Sequence, residues 1–521
     1  MGVDEAEKGR RPGPAGRLAL AGFVLYAAAA PHSIAGSWMG LSLVVLAWLA
    51  RLAVARRAGL RRTALDLPLW LLAGWTALSS LLSYEPQESL PKLVNASTFL
   101  MFYLARAMLT RRSAVLVAGV LVASGVAGVL WGAGELAAGR GVLVRELRAD
   151  SPLRAATPLR EGDAVWRVNR RRVSSVAEID EQIRRTPPGE ALQLSVISRG
   201  EHVEWPGPVV TEAIRAAPSP SGVVGGGPTR AFRASGWTRH YGTFAEVLQM
   251  VAQLALGFAL AALLRQRREA RADAPTARAT ATTNATATTN ATPRAPDGRG
   301  RWRVALPFAA FVLLAVGIGL TAMRTALVAF VVGVLATAWR ASAGGRARWA
   351  LAAVVVAALS FGALAVWRTR ASGALRLGDT SASMRLQVAR VAAARALRHP
   401  FFGHGMDAVH RHWREWGFPG DDMLHAHSTP LQLAFDRGLP ALLFWLWLMY
   451  AFWRRAARAE STWRDSDSAA SHGLALGLTG ALAGFLASSL VNYNFGDAEV
   501  ALLLWWMMGA SVVLSEERVS S

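Results

Sequence analysis

The run VALPFAAFVLLAVGIGLTAMRTALVAFVVGVLATAW, residues 304–339, decides the fold. It is almost unbroken apolar sequence. One helix of that length would extend roughly 54 Å at ~1.5 Å per residue, whereas a bilayer's hydrocarbon core is ~30 Å thick. The run therefore reads as a helical hairpin with its turn near Gly319-Leu320-Thr321-Ala322-Met323-Arg324. Working outward, similar runs occupy 18–33, 34–50, 67–83, 90–109, 113–133, 243–264, 349–366, 434–453, 472–491 and 499–514. The expectation is an all-α polytopic membrane protein of about 12 transmembrane helices.

Composition agrees. The 521 residues are 53% hydrophobic and include 20 Trp, against ~45–50% apolar in soluble domains. The net charge of +22 would suit nucleic acid on a soluble protein, but here arginine gathers in alternate loops. Clusters follow the second, fourth, sixth, eighth and tenth spans, while the opposite short loops carry few or no cations. That asymmetry predicts a cytoplasmic N-terminus and places the long segments 135–242 and 367–430 on the outer face. Cysteine is absent, which excludes disulfides, thiolate metal sites and Cys nucleophiles. GxSxG, P-loop, Ser/Lys and Asp/Asp protease patterns are also missing, and no nucleic-acid partner is expected.

The chain divides on this reading into 1–134 (spans 1–5), an insert at 135–212, a linker with span 6 at 213–269, a disordered cytoplasmic loop at 270–303, and 304–521. The loop is low-complexity Ala/Thr/Asn/Pro with nothing to bury. The insert is different. GVLVREL, AVWRVN and LQLSVI alternate as strands do, SVAEIDEQIRR reads as a short helix, and Gly162-Asp163 and Arg199-Gly200 read as turns. SPLRAATPLREGDAVWRVNRRRV, 151–173, resembles the core of a PDZ domain of the bacterial envelope-protease type, making this a small α/β insert. The resemblance implies a peptide-binding edge along Gly141, Val142, Leu143 and Val144, where a peptide or protein partner adds as a strand. The alternative is a degenerate domain that only packs.

The stretch from Arg368 to Pro440 carries six of the ten histidines: His399, His404, His410, His412, His425 and His427. It is also rich in arginine, including Arg385 and Arg395. HPFFGHG (399–405) and HAHSTPLQLAFDRGLP (425–440) frame it. Cations beside histidines at a membrane surface suggest binding of an anionic group together with proton transfer. Arg324 adds an intramembrane charge, by default a functional residue, or else one that snorkels to headgroups. Arg233, Arg239 and His240 enter from the segment before span 6, whose alternative role is an interfacial anchor with Trp237 and Tyr241. His410, His412, His425 and His427 with Asp421 and Asp422 match no zinc spacing such as HExxH. Neither metal nor cofactor is expected.

Four segments carry a second resemblance: RASGWTRHYGTFAEV (233–247), LTAMRTALVAF (320–330), MRLQVARVAAARALRHPFFGHGMD (384–407) and HAHSTPLQLAFDRGLPALLFW (425–445). In this order they resemble the O-antigen ligase/polymerase superfamily, whose fold is of the C-type glycosyltransferase kind. Ser428, Met323 and Ala441 stand where that family usually has Asn, Ser and Gly. The resemblance implies a bacterial inner-membrane enzyme that moves a glycan from undecaprenyl diphosphate to an acceptor hydroxyl in the periplasm, without metal and with inversion. The acceptor would be lipid A-core, a growing polysaccharide or a protein. His427 would be the general base, with Arg324 and Arg233 at the leaving diphosphate. Arg385, Arg239, His240 and His425 would bind substrate. A repeat-unit polymerase and a protein O-oligosaccharyltransferase remain open within the class. A polysaccharide or lipid transporter, a PDZ-based envelope assembly factor and an envelope sensor remain open outside it.

Overall fold

Leu, Ala and Val dominate the apolar runs, and all but Val are strong helix formers. The computed structural model describes residues 13–55, 62–198, 200–238, 240–283, 298–342, 344–345, 379–420 and 425–516. The chain separates into two compact units. One holds residues from 1–126, 246–315 and 324–521; the other holds 127–245 and 316–323.

In chain order the longer helices are α1 (Pro14–Ala29), α2 (Ile34–Ala55), α3 (Asp66–Leu82), α4 (Leu100–Met108), α5 (Arg111–Ala138), α6 (Val176–Arg185) and α7 (Tyr241–Thr283). Then come α8 (Gly298–Leu320), α9 (Arg324–Ala341), α10 (Asp379–Ala396), α11 (Thr429–Trp463), α12 (Ala469–Ser489) and α13 (Ala498–Glu516). Among the described residues, seven helices are long and apolar enough to cross a membrane: α2, α5, α7, α8, α9, α12 and α13. The protein is thus a multi-pass membrane protein by helix length and composition. The 304–339 hairpin forms as α8 and α9. These two are the least buried of the seven, and Phe308, Val312, Val316, Val328 and Val331 stay exposed, as lipid-facing side chains would.

The remaining expected spans differ in instructive ways. α1 and α3 are apolar but have only 16 and 17 residues. The fourth is not one α-helix. Leu90–Phe99 is a 3₁₀ segment leading into α4. Pro91 lacks an N–H there, and Ser97 and Thr98 turn their hydroxyls back onto the Val94 and Asn95 carbonyls at 2.6 and 3.1 Å. The ninth, 349–366, lies outside the described residues. The tenth is part of α11, which breaks at Gly438 (φ 80, ψ 171). α7 continues to Thr283 and α8 begins at Gly298. Helix therefore occupies both ends of the stretch expected to be a disordered loop, because Ala and Arg extend a helix readily.

Small residues let the helices approach closely, as membrane packing favours. A Cβ on Gly257 of α7 would collide with the backbone of Gly473 and Gly477 on α12.

The second unit contains an antiparallel sheet of β1 (Val142–Leu147), β2 (Ala164–Val168), β3 (Arg171–Arg172), β4 (Ala191–Ser198), β5 (Glu201–Val209) and β6 (Val223–Gly225). The strand order is β5-β4-β2-β1-β6, with β3 paired to β2. α6 packs Ile179 and Ile183 into a core with Val142, Val144, Val165 and Leu194. Ser175 caps α6 by accepting from the Glu178 N–H at 3.2 Å. Asn169 (φ 48) and Arg170 (φ 65) form the tight β2–β3 turn, a left-handed pair that most hairpins fill with Asn-Gly. The three expected strands and the helix are all present.

One expectation for this insert is corrected. β1 is not an edge. β6 pairs with it, Val144 opposite Gly225, Glu146 opposite Val224 and Leu147 opposite Val223. The Leu143 N–H donates to the Gly227 carbonyl at 3.0 Å. Asp180 of α6 accepts from the Ser221 N–H at 2.9 Å, and Ser151 Oγ donates to the Ser221 carbonyl at 2.6 Å. The chain's own 221–227 segment thus lies along the side of β1 that a peptide was expected to use and takes the Leu143 N–H, while Val144 bonds to Gly162 and Asp163 on the other side.

Candidate functional site

The two framing motifs of the 368–440 stretch are halves of one joint. Gly438 adopts a left-handed φ, and a Cβ there would overlap the Phe401 carbonyl. With Pro440 unable to donate, the break orphans carbonyls of the preceding turn. The loop 399–405 supplies partners. His404 N–H donates to the Phe435 carbonyl at 2.8 Å, and Gly405 N–H to the Asp436 carbonyl at 2.9 Å. Leu439 N–H returns a bond to the Pro400 carbonyl at 2.7 Å, and Trp75 Nε1 donates to the Arg437 carbonyl at 2.9 Å.

Two histidines of the stretch, His404 and His412, are held by neighbouring groups. The His404 ring stacks on Phe435 with centroids 4.6 Å apart, and its Nε2 lies 3.0 Å from the Arg395 carbonyl. Burial pushes its pKa down to about 4, despite that carbonyl. His412 spans two carboxylates, Nε2 to Glu85 at 2.6 Å and Nδ1 to Glu415 at 2.5 Å. Burial lowers its pKa, but bonds to Glu415 and Glu85 outweigh that and raise it. His412 is committed to these carboxylates, and Asp421 and Asp422 lie outside the described residues. Among the described residues no group of three or more His, Asp and Glu is placed to hold a metal ion.

Beside the joint lies a cavity of about 320 Å³, within the range of small-molecule sites. Its polar lining includes Lys92, Asp407, His425, Asp436, Arg437 and Asp497; its aromatic lining is Phe99, Tyr493, Phe495 and Trp505. The 3₁₀ segment thus contributes both Lys92 and Phe99. Lys92 pairs with Asp407 at 2.7 Å. Asp407 holds a left-handed φ of 67, a conformation that Asp tolerates better than most non-glycine residues. Asp436 is only 3% exposed and accepts from Gln432 Nε2 at 2.8 Å. Burial pushes the Tyr493 phenol up to about 12, so it stays a neutral donor.

His425 carries the cavity wall to His427, ring centroids 4.5 Å apart and nearly perpendicular at 76°. His427 sits just before the Ser428 N-cap of α11, also with a left-handed φ, 51, at a cost of ~1–2 kcal/mol. Its Nε2 is buried and accepts from none of the described residues. Burial pushes its pKa down to about 4, and the charges of His425 and Arg385 push the same way. The imidazole is therefore neutral at pH 7, with a lone pair free for a proton. Arg385 Nε, on α10, is likewise buried with no partner among the described residues. A neutral base and a cation with spare donors can together take a proton from a hydroxyl and hold an anion.

Of the residues anticipated from sequence, the structure brings His425, His427 and Arg385 together. Arg324 is exposed as the first residue of α9. Arg233 belongs to the second unit. There it pairs with Glu201 at 2.9 Å and lies over the Tyr241 ring, 4.4 Å from its centroid. His240 is exposed in the same unit, and Arg239 lies outside the described residues. The cavity residues Lys92, Asp407, Asp436, Arg437, Tyr493 and Trp505 were not anticipated. The one available signal was a lysine and an asparagine, Lys92 and Asn95, inside an otherwise apolar run.

No curated protein matches the chain. The residues from 309 to 446, which include α9, α10, the joint and the histidine pair, match the family model described as O-antigen ligase.

Proposed function

We propose that the protein is a glycosyltransferase that moves a glycan from undecaprenyl diphosphate to an acceptor hydroxyl at the periplasmic face of the inner membrane. The observation that carries this is the unpartnered Nε2 of neutral His427, within electrostatic reach of Arg385 and next to the cavity wall. His427 accepts the acceptor's hydroxyl proton while that oxygen attacks the anomeric carbon. The bond from the anomeric carbon to the diphosphate oxygen breaks, and its electron pair leaves with the diphosphate. Attack opposite the leaving group inverts the centre. Arg385 offers donors to the negative charge that builds on the leaving group, and guanidinium keeps its charge throughout. Arg324 is the second candidate for that role. The cavity suits the sugar: three acidic side chains, Asp407, Asp436 and Asp497, present oxygens to hydroxyls, and four aromatic rings cover C–H faces. The match to the O-antigen ligase model supports the reaction class. The acceptor separates ligase, polymerase and protein oligosaccharyltransferase.

The test is transfer by membranes holding the wild type, His427→Ala, Arg385→Ala or Arg324→Ala, at matched protein levels. The donor is a defined undecaprenyl-diphosphate oligosaccharide, EDTA is present, and the acceptors are lipid A-core, free glycan and protein. His427→Ala is expected to lose about 10²–10⁴-fold. Unchanged transfer by His427→Ala and Arg385→Ala together would remove the mechanism, and no transfer by wild type to any acceptor would remove the activity.

A further inference from the structure

Glu246, on α7, is 0% exposed, and nothing in the mechanism above uses it. Its carboxylate accepts from Ser488 Oγ, from Asn492 Nδ2 at 3.0 Å and from Asn494 Nδ2 at 3.5 Å. All three partners are donors. An apolar side chain would fill the same space without the cost of burying a carboxylate. What the carboxylate adds is a directed acceptor.

That direction is passed on. Asn494 Nδ2 is committed to Glu246 and to the Phe485 carbonyl at 3.2 Å. Its Oδ1 must then face the other way, where it accepts from Thr429 Oγ1 at 3.0 Å. The Thr429 N–H is held as well, donating to the Asn492 carbonyl at 3.1 Å. Thr429 is the first residue of α11, two positions after His427. His427 keeps its left-handed φ of 51 only if its surroundings over-determine it, and the pinned Thr429 is the fixed end from which that backbone departs.

We infer that Glu246 is a positioning residue for His427, acting through Asn494 and Thr429. It sets the orientation of the Asn494 amide, which anchors the helix start that presents the imidazole. Glutamine has the same shape but turns a donor toward Asn492 or Asn494. With that donor toward Asn494, the Asn494 amide flips and the anchor to Thr429 is lost. The inference rests on the proposed role of His427, so its test has one readout that needs activity and one that does not.

The variants are Glu246→Gln, Thr429→Val and the double variant in the full-length protein. Hydrogen–deuterium exchange is followed across 426–433. Glu246→Gln should speed exchange in that segment and leave the distant spans unchanged. Each single variant should lower kcat about 10–100-fold, as misplacement of a base does, with the donor KM unaltered. The double variant should be no worse than the poorer single, because both cut one strut. Unchanged exchange at 426–433, or faster exchange spread over the whole membrane unit, would overturn the inference. Losses that multiply in the double variant would also overturn it. If exchange responds as expected but wild type transfers no glycan, the assigned reaction falls while the strut stands.

Discussion

The low pKa of His427 makes a sharp kinetic prediction. The kcat/KM profile reports the free enzyme's essential base. An ordinary imidazole with a pKa of ~6.5 would lose neutral form about eightfold between pH 7 and 5.5. His427, pushed to about 4 by burial and by His425 and Arg385, stays almost wholly neutral over that range. Transfer efficiency should therefore be flat to pH ~5.5 and fall only near pH 4, down to whatever pH the fold survives. Arg385→Gln removes one of the depressing charges, so its acid limb should move upward. Burial remains, so the limb should not reach the ordinary value. A bound diphosphate would offset the Arg385 charge, so the limb in kcat should lie above that in kcat/KM. The assay is transfer to a fixed acceptor over pH 4–8, with the donor varied at each pH. A wild-type kcat/KM limb at an ordinary imidazole pKa would refute the reasoning, as would a limb that Arg385→Gln leaves in place.

Further outcomes follow from the packing. Lys92→Ala and Asp407→Asn, which open the ion pair in the cavity, should raise the donor KM several-fold and change kcat little; initial rates at varied donor check this. Gly438→Ala puts a Cβ against the Phe401 carbonyl and an alanine at positive φ, costing ~1–2 kcal/mol for the conformation alone. A fall in melting temperature in detergent is expected, whereas no fall would mean the joint yields freely. Val223→Asp buries a charge where β6 meets the core. In the full-length protein it should release β6 and expose Val142–Val144 to extended apolar peptides, so a fluorescent peptide should bind this variant and not the wild type. His412 works in the opposite pH direction to His427. Its pKa is raised in the folded state, so its stabilisation is complete below the unfolded value near ~6.5 and is lost as pH rises through the folded one. His412→Gln should narrow the gap in melting temperature between pH 5.5 and 8.

Particular residues show how far sequence reasoning reached. The apolar runs at 34–50 and 304–339 needed only length and polarity, because a helix in lipid satisfies its own backbone bonds. The strands GVLVREL and LQLSVI were legible from alternation, since one face of a sheet is buried. His425, His427 and Arg385 were legible as charges and imidazoles next to apolar sequence. Arg233 shows the limit. It stands in the segment that leads into a span, yet its guanidinium pairs with Glu201 and lies over the Tyr241 ring. Pairing depends on a strand 32 residues away, and local pattern carries no information about it. Lys92 was passed over because a lysine in an apolar run looks like a span end until the 3₁₀ turn aims it at Asp407.

By itself the sequence determined that this chain crosses a membrane many times, that a small α/β insert interrupts it, and that cations and histidines cluster between two spans. Each of these is a property of composition and short-range period. Tertiary structure alone decided that His427 Nε2 is buried without a partner among the described residues, that β6 pairs with β1, and that residues from the 3₁₀ segment, the joint and the 493–498 loop line one cavity. These depend on where backbone donors and acceptors go once helices break, at Gly438 above all. A broken helix is completed by groups brought from elsewhere in the chain.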